Sequence, residues 1–161
     1  MEKETMIREF SPQATAYAVR CKPDAIRDWR RLGLLNGLSE RKGKGHLFTV
    51  SDVARIAVAA FIARNGATLR QAFEIVDRRG AIIDTVAATE RNAPGAGQDY
   101  VLTFVVDPDV SFPASITNAP ISNIEFDAEP IGALQINVSR LVRSALERLV
   151  TYDKWDAGAA A

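Results

Sequence analysis

Four stretches in the first half of the chain carry apolar residues at the spacing of a helix face. The first runs from Ser11 to Val19 through Ala14, Ala16, Tyr17 and Ala18, with Ser11 suited to the N-cap and Pro12 to the first helical position. The second runs from Pro23 to Leu32. There Ile26, Trp29 and Arg30 keep the i, i+3, i+4 rhythm, Asp24 complements the positive helix start, and Gly33 suits the residue after the C-cap. Only Arg20 to Lys22 lie between these two, so a tight turn must set the second helix steeply across the first. Val53, Ile56, Ala57, Ala60, Phe61 and Ala63 predict a third helix, capped by Thr49 or Ser51 and stopped at Asn65-Gly66. Thr68 caps a fourth through Arg78, with Leu69, Ala72, Phe73 and Val76 on one side. Between the second and third helices, Leu34-Leu35 and His46-Leu47-Phe48 flank a polar stretch holding Gly37, Arg41, Lys42, Gly43, Lys44 and Gly45. Two short extended segments around a basic, glycine-rich tip predict a β-hairpin.

The second half is less regular. Ala81 to Glu90 reads as a helix in spite of Ile82, Ile83, Thr85 and Val86, and Asn92 to Gln98 (NAPGAGQ) as a linker. Tyr100 to Val106 is a β-rich run. Prolines 113, 120 and 130 make Ser111 to Pro130 mostly loop, with one strand at Ile121 to Phe126 and another at Ala133 to Val138. From Ser139 to Tyr152, Leu141, Val142, Ala145, Leu146, Leu149 and Val150 form an apolar helical stripe, the candidate dimerisation surface. The terminal AGAAA reads as a disordered tail. The expected fold is mainly α, with a small α+β unit at the C-terminal end: residues 1–80, then a helix and linker at 81–98, then an acidic unit at 99–156.

Charge sharpens this division. The 161 residues carry 20 Lys/Arg and 20 Asp/Glu. Residues 1–80 hold 15 of the basic and 9 of the acidic residues, a net of +6, which leaves 5 and 11, a net of −6, for residues 81–161. The basic half suits a polyanion, and the acidic half would be repelled by phosphate. Cys21 is the one cysteine, so there is no internal disulfide and no thiolate cage for a metal, and it reads as a small turn residue. No apolar run reaches a membrane span, and MEKETMIREF lacks the apolar core of a signal peptide, so the sequence reads as cytoplasmic with no membrane partner.

The ordered set from Phe10 to Val76 resembles the DNA-binding domain of MerR-family transcriptional regulators. The resemblance rests on Phe10-Ser11 before the first helix, Lys22-Pro23 opening the second, and Ile26-Arg27-Asp28-Trp29-Arg30-Arg31-Leu32-Gly33-Leu34-Leu35 after it. It continues through a basic wing into Phe48-Thr49-Val50-Ser51-Asp52-Val53 and the Gly66-Ala67-Thr68-Leu69 turn. It covers less than half the chain and implies a winged helix-turn-helix. Three positions depart from the family pattern: Asp28 stands for a tyrosine, Arg30 for a glutamate and Arg20 for a glycine. The linker at Asn92 to Gln98 also interrupts the long dimerisation helix that the family's members carry.

Double-stranded DNA is therefore the expected partner. Arg27 and Arg31, four apart, share a helix face within reach of phosphate. Arg20 and Lys22 sit in the turn, with Asp24 beside them, and Asp28 would repel phosphate or instead accept from a cytosine amino group. Arg41, Lys42 and Lys44 on the wing tip, with His46, can follow the backbone or enter a minor groove. Such a count offers about 5–8 phosphate contacts per subunit and a steep fall of affinity with salt. Trp29 is expected to pack the second helix against the wing. The expectation is a homodimeric transcriptional regulator without a cofactor, with a place for a small-molecule or protein effector in its C-terminal unit. An excisionase-like or architectural DNA binder, or a protein-interaction module without DNA contact, would use the same motif. One His, one Cys and no glycine-rich phosphate loop speak against an enzyme. Asp107, Asp109, Glu125, Asp127 and Glu129 are read as loop acids rather than a cation site.

Overall fold

Ser11, Thr49 and Thr68 each precede an apolar-periodic run, and each hydroxyl accepts a backbone N–H three residues on: from Ala14 at 3.1 Å, Asp52 at 3.2 Å and Gln71 at 3.2 Å. Asp52 and Gln71 return the bond to the N–H groups of Thr49 and Thr68, closing two capping boxes. Thr49, not Ser51, is thus the cap of the third helix. The computed structural model describes residues 9–38, 40–42, 45–106, 114–117 and 132–159. In chain order its elements are α1 (Pro12–Val19), α2 (Pro23–Arg31), β1 (Glu40–Lys42), β2 (Gly45–Leu47), α3 (Val50–Arg64), α4 (Leu69–Arg78), α5 (Gly80–Asn92), β3 (Val101–Val106), β4 (Ala114–Thr117), β5 (Gly132–Asn137) and α6 (Val138–Ala159). The fold is mainly helical, with an antiparallel β1–β2 hairpin and a separate antiparallel sheet in the order β4-β3-β5.

Helix α3 occupies the middle because it is apolar on nearly every side. Val53, Ala54, Ile56, Ala57, Val58, Ala59, Ala60 and Ile62 are all buried, and the four buried alanines let neighbours approach closely. It contacts α1, α4, α5 and α6. One continuous cluster of buried side chains runs from Phe10 through Phe48, Ile56, Phe73 and Val86 to Leu102 and Leu149. The chain on either side of residue 80 therefore shares a single core. Phe10 and Phe48 exchange backbone hydrogen bonds of 2.8 and 2.9 Å, which tie the residues before α1 to the end of the hairpin.

Several expected boundaries move. Leu34 and Leu35 are not extended: residues 32–37 form turns that drop Leu35 into the core, and the first hairpin strand starts at Glu40. Gly80 does not break the chain. It begins α5 directly after Arg79, and a Cβ there would lie 2.6 Å from the guanidinium of Arg55, so any larger residue would have to displace that side chain. That guanidinium holds Asp84 of α5 through two hydrogen bonds, at 2.8 and 2.6 Å. Ala114–Thr117, expected as loop, forms β4 on one edge of β3. The strand expected at Ile121 to Phe126 lies outside the described residues, as do Asp107, Asp109, Glu125, Asp127 and Glu129.

Strand β5 passes into α6 without a loop. Leu102 of β3 stands opposite Ile136 of β5, both buried, and Val138 already donates as a helical residue to the Tyr100 carbonyl at 2.9 Å. Asn137 caps α6 by accepting from the Arg140 N–H at 2.9 Å. The helix continues through Ala159, past the expected end at Tyr152 and into the expected tail.

Candidate nucleic-acid interface

The end of α1 is set by Arg20, the one described non-glycine residue with a positive φ, 58°. Its N–H donates to the Tyr17 carbonyl, and that of Cys21 to Ala16, which closes the last turn as glycine usually does after a helix. Two distant arginines then satisfy the carbonyls that α1 leaves exposed. Arg64, at the end of α3, donates from Nη2 to the carbonyls of Val19 and Arg20, both at 2.7 Å. Arg148, on α6, donates from Nε to the Ala18 carbonyl at 2.6 Å and from Nη1 to Ser144 Oγ at 2.7 Å. A helix C-terminus is the negative end of its dipole, so cations belong there. Burial, and after it the charges of Arg20 and Arg64, lower the pKa of Arg148; Tyr17 and Glu147 act in the opposite sense.

Helix α2 starts at Pro23, buries Ile26 and Trp29, and turns the rest of its surface outward. Its end is a Schellman turn: Gly33, at φ 75°, donates to Arg30 and Leu34 donates to Trp29. Trp29, expected against the hairpin, has a partner on α4. Its ring meets Phe73 of α4 edge-on at 5.7 Å, because its position on α2 faces the α3–α4 layer. It is Arg30 that reaches the hairpin's end, with its guanidinium 5.4 Å from the Phe48 ring and its pKa lowered by burial.

On the outward face, Arg27 pairs with Asp24 at 3.4 Å and Arg31 with Asp28 at 3.0 Å, all four side chains being well exposed. Each arginine expected to meet phosphate thus has a carboxylate one turn back, and the face as a whole is electrically balanced. Arg41 and Lys42 lie on strand β1 and not on the tip; Arg41 stands opposite half-buried His46, and Lys42 opposite Gly45. Lys44 lies outside the described residues. Arg20 and Lys22, with Arg64, do come together, around an open cleft of about 440 Å³ that Cys21, Trp29 and Leu69 also line. Burial pushes the Cys21 thiol up to about 11, so it stays protonated at neutral pH.

The dimerisation stripe needs correction. Val142, Ala145 and Leu149 are fully buried in the chain's own core, where α6 packs on α1, α3 and α5, and cannot serve a second copy. Leu141 and Leu146 are half-buried, and Val150 is 51% exposed. What fixes α6 is a pair that sequence reasoning missed. Glu90 of α5, with its side chain 4% exposed, accepts from Arg143 at 2.7 and 3.1 Å and from the Gly95 N–H at 3.1 Å. The bond to Arg143 holds the Glu90 carboxyl below its usual range. A second cavity, of about 310 Å³, lies beside this pair, walled by Phe10, Val50, Leu146, Leu149 and Val150.

Arg64 could have been suspected as a basic residue in the last turn of a helix. Nothing local marks Arg148, Glu90 or Arg143, whose partners lie 130 and 53 positions away. Among the described residues, no group of three or more His, Cys, Asp or Glu stands close enough to hold a metal ion, and no helix is long and apolar enough to cross a membrane. Compared with known protein families and with curated proteins, the chain matches no family model and no curated sequence.

Proposed function

We propose that the chain is a cytoplasmic, DNA-binding transcriptional regulator rather than an enzyme. In this reading α1, the turn at Arg20 to Lys22 and α2 form a helix-turn-helix of the MerR type, and β1–β2 is its wing. Helix α2 enters the major groove, Lys22, Arg27 and Arg31 meet phosphates, and the wing basics Arg41, Lys42 and Lys44 follow the adjacent backbone. The observation that carries the reading is the three-residue turn between two short helices, with Arg20, Lys22 and Arg64 gathered on one side of it. A cluster of cations beside a helix start is the electrostatic footprint expected of a phosphate-binding surface.

The regulator acts as a homodimer in this reading, since paired half-sites are how so small a domain gains specificity. The second copy would meet the outward side of α6 around Val150, not its buried stripe. The cavity of about 310 Å³ between α5, α6 and Phe10 has the size and apolar walls of a small-molecule effector site. Selection of bound duplexes from a random pool, followed by salt titration, tests the whole. We expect enriched, two-fold related half-sites and an affinity that falls steeply with salt. No enrichment, with no salt-dependent binding of any duplex, overturns the reading.

A further inference from the structure

The arginines around the end of α1 come from three elements. Arg20 is the C-cap that follows α1, Arg64 ends α3, and Arg148 lies in α6. The side-chain hydrogen bonds of Arg64 and Arg148 run to carbonyls and one hydroxyl: Arg64 to Val19 and Arg20, Arg148 to Ala18 and Ser144. No ion pair joins any of the three to a carboxylate among the described residues. Neutral acceptors fix the positions of Arg64 and Arg148 and leave their charges uncancelled. A guanidinium has five N–H donors, and these bonds engage two on Arg64 and two on Arg148. Lys22 adds a further cation with its side chain exposed beside the cleft.

The geometry points to a single phosphate seat at this cleft, formed by Arg20, Lys22 and Arg64 with Arg148 as the positioning residue behind them. It rests on the DNA-binding reading above and deepens it, because it makes α6 part of the interface. An oxyanion held there would accept from the free guanidinium donors of Arg20 and Arg64, in the fork geometry that suits phosphate. Arg148 would hold the α1 carbonyls in place and add its field at short range. The acidic half of the sequence thereby contributes one of the cations that the basic half needs.

The test uses the full chain and a labelled mixed-sequence duplex, with affinity followed as a function of salt for wild type, Arg20→Gln, Arg64→Gln and Arg148→Gln. Each variant is expected to bind about fivefold more weakly and to flatten the slope of log K against log salt by about 0.9. A thermal melt accompanies each. Arg20 is exposed and its side chain makes no hydrogen bond among the described residues, so Arg20→Gln decides the question if a variant of the capping arginines folds poorly. Arg148→Lys is expected to restore the slope, which a merely structural role would not require. Well-folded variants with the wild-type slope overturn the seat. Inorganic phosphate at constant ionic strength distinguishes the sources. Competition by inorganic phosphate that Arg64→Gln abolishes assigns the seat to a free phosphate compound, and lack of competition with a flattened slope assigns it to the duplex backbone. A wild type that binds no duplex overturns the DNA reading separately, and phosphate binding sensitive to Arg64→Gln would then still support the seat.

Discussion

The outward face of α2 and the turn before it both carry arginines, and they keep them in opposite electrical states. On α2, Arg27 is 81% and Arg31 78% exposed, and each lies beside an aspartate three residues earlier. Such pairs are worth only a few tenths of a kcal/mol in water, so they open easily when phosphate competes, but they leave the face with no net charge. At the turn, Arg64 and Arg148 are held by carbonyls, and among the described residues no carboxylate pairs with them or with Arg20, so the positive charge persists. Cations counted along one helix overstate its field when acids sit one turn away. Cations gathered from distant elements can understate theirs, because the chain order hides them.

The comparison depends first on α6 staying against α1. Glu90→Gln removes the buried carboxylate that holds Arg143 and should cost about 3 kcal/mol, since it leaves a partly buried cation without its main partner. Urea denaturation measures the loss, and DNA affinity should fall with it as Arg148 leaves the turn. An unchanged unfolding midpoint would show that another contact anchors α6. The same pair predicts a pH dependence. The Glu90 carboxyl titrates below its ordinary value in the folded chain because Arg143 bonds it. Its stabilisation is therefore complete above about pH 4.3 and is lost as the pH falls through the lower folded value. Denaturation midpoints across that acid range should fall for wild type and stay flatter for Glu90→Gln.

Arg20→Gly separates stability from binding. A non-glycine residue at φ 58° costs about 1 kcal/mol, so the variant should melt a few degrees higher. It should also bind DNA more weakly, because the seat loses a cation. Tighter binding on melting higher would mean that Arg20 serves only the turn. The smallest effect sharpens the other side. Asp28→Asn releases Arg31 and removes an acid from the α2 face, so affinity should rise about twofold, equal to roughly 0.5 kcal/mol. Anisotropy at low salt that shows no rise would take α2 away from DNA and leave the turn alone as the contact.

Much of the fold is legible because its signals are local. Ser11, Thr49 and Thr68 cap as their hydroxyls and spacing imply, and Gly33 ends α2 with the positive φ that glycine tolerates. The apolar positions of α4 reach the core because helical spacing puts them on one side, and those of α3 because they surround the helix. Less legible are elements that owe their state to neighbours. Residues 114–117 become a strand because β3 offers an edge, and Gly80 opens α5 with the Arg55 guanidinium packed close against it. The stripe on α6 was visible as apolar, but whether it served a second copy or its own chain depended on the space left by α1, α3 and α5.

The sequence by itself determined the helices, their caps, the tight turn between α1 and α2, the hairpin and the charge of the first half. Each of these follows from residues within a few positions of one another, where hydrogen bonds and periodicity act through the chain. Only the tertiary structure decided which charges survive. Asp24 and Asp28 balance the arginines of α2 from three residues away, whereas Arg64 and Arg148 arrive at the end of α1 from 44 and 130 residues away, and only packing brings them there. Electrostatic energy depends on distance through space and on what else stands nearby. The cations that matter most to the turn are therefore fixed by the packing of α3 and α6, which no local pattern records.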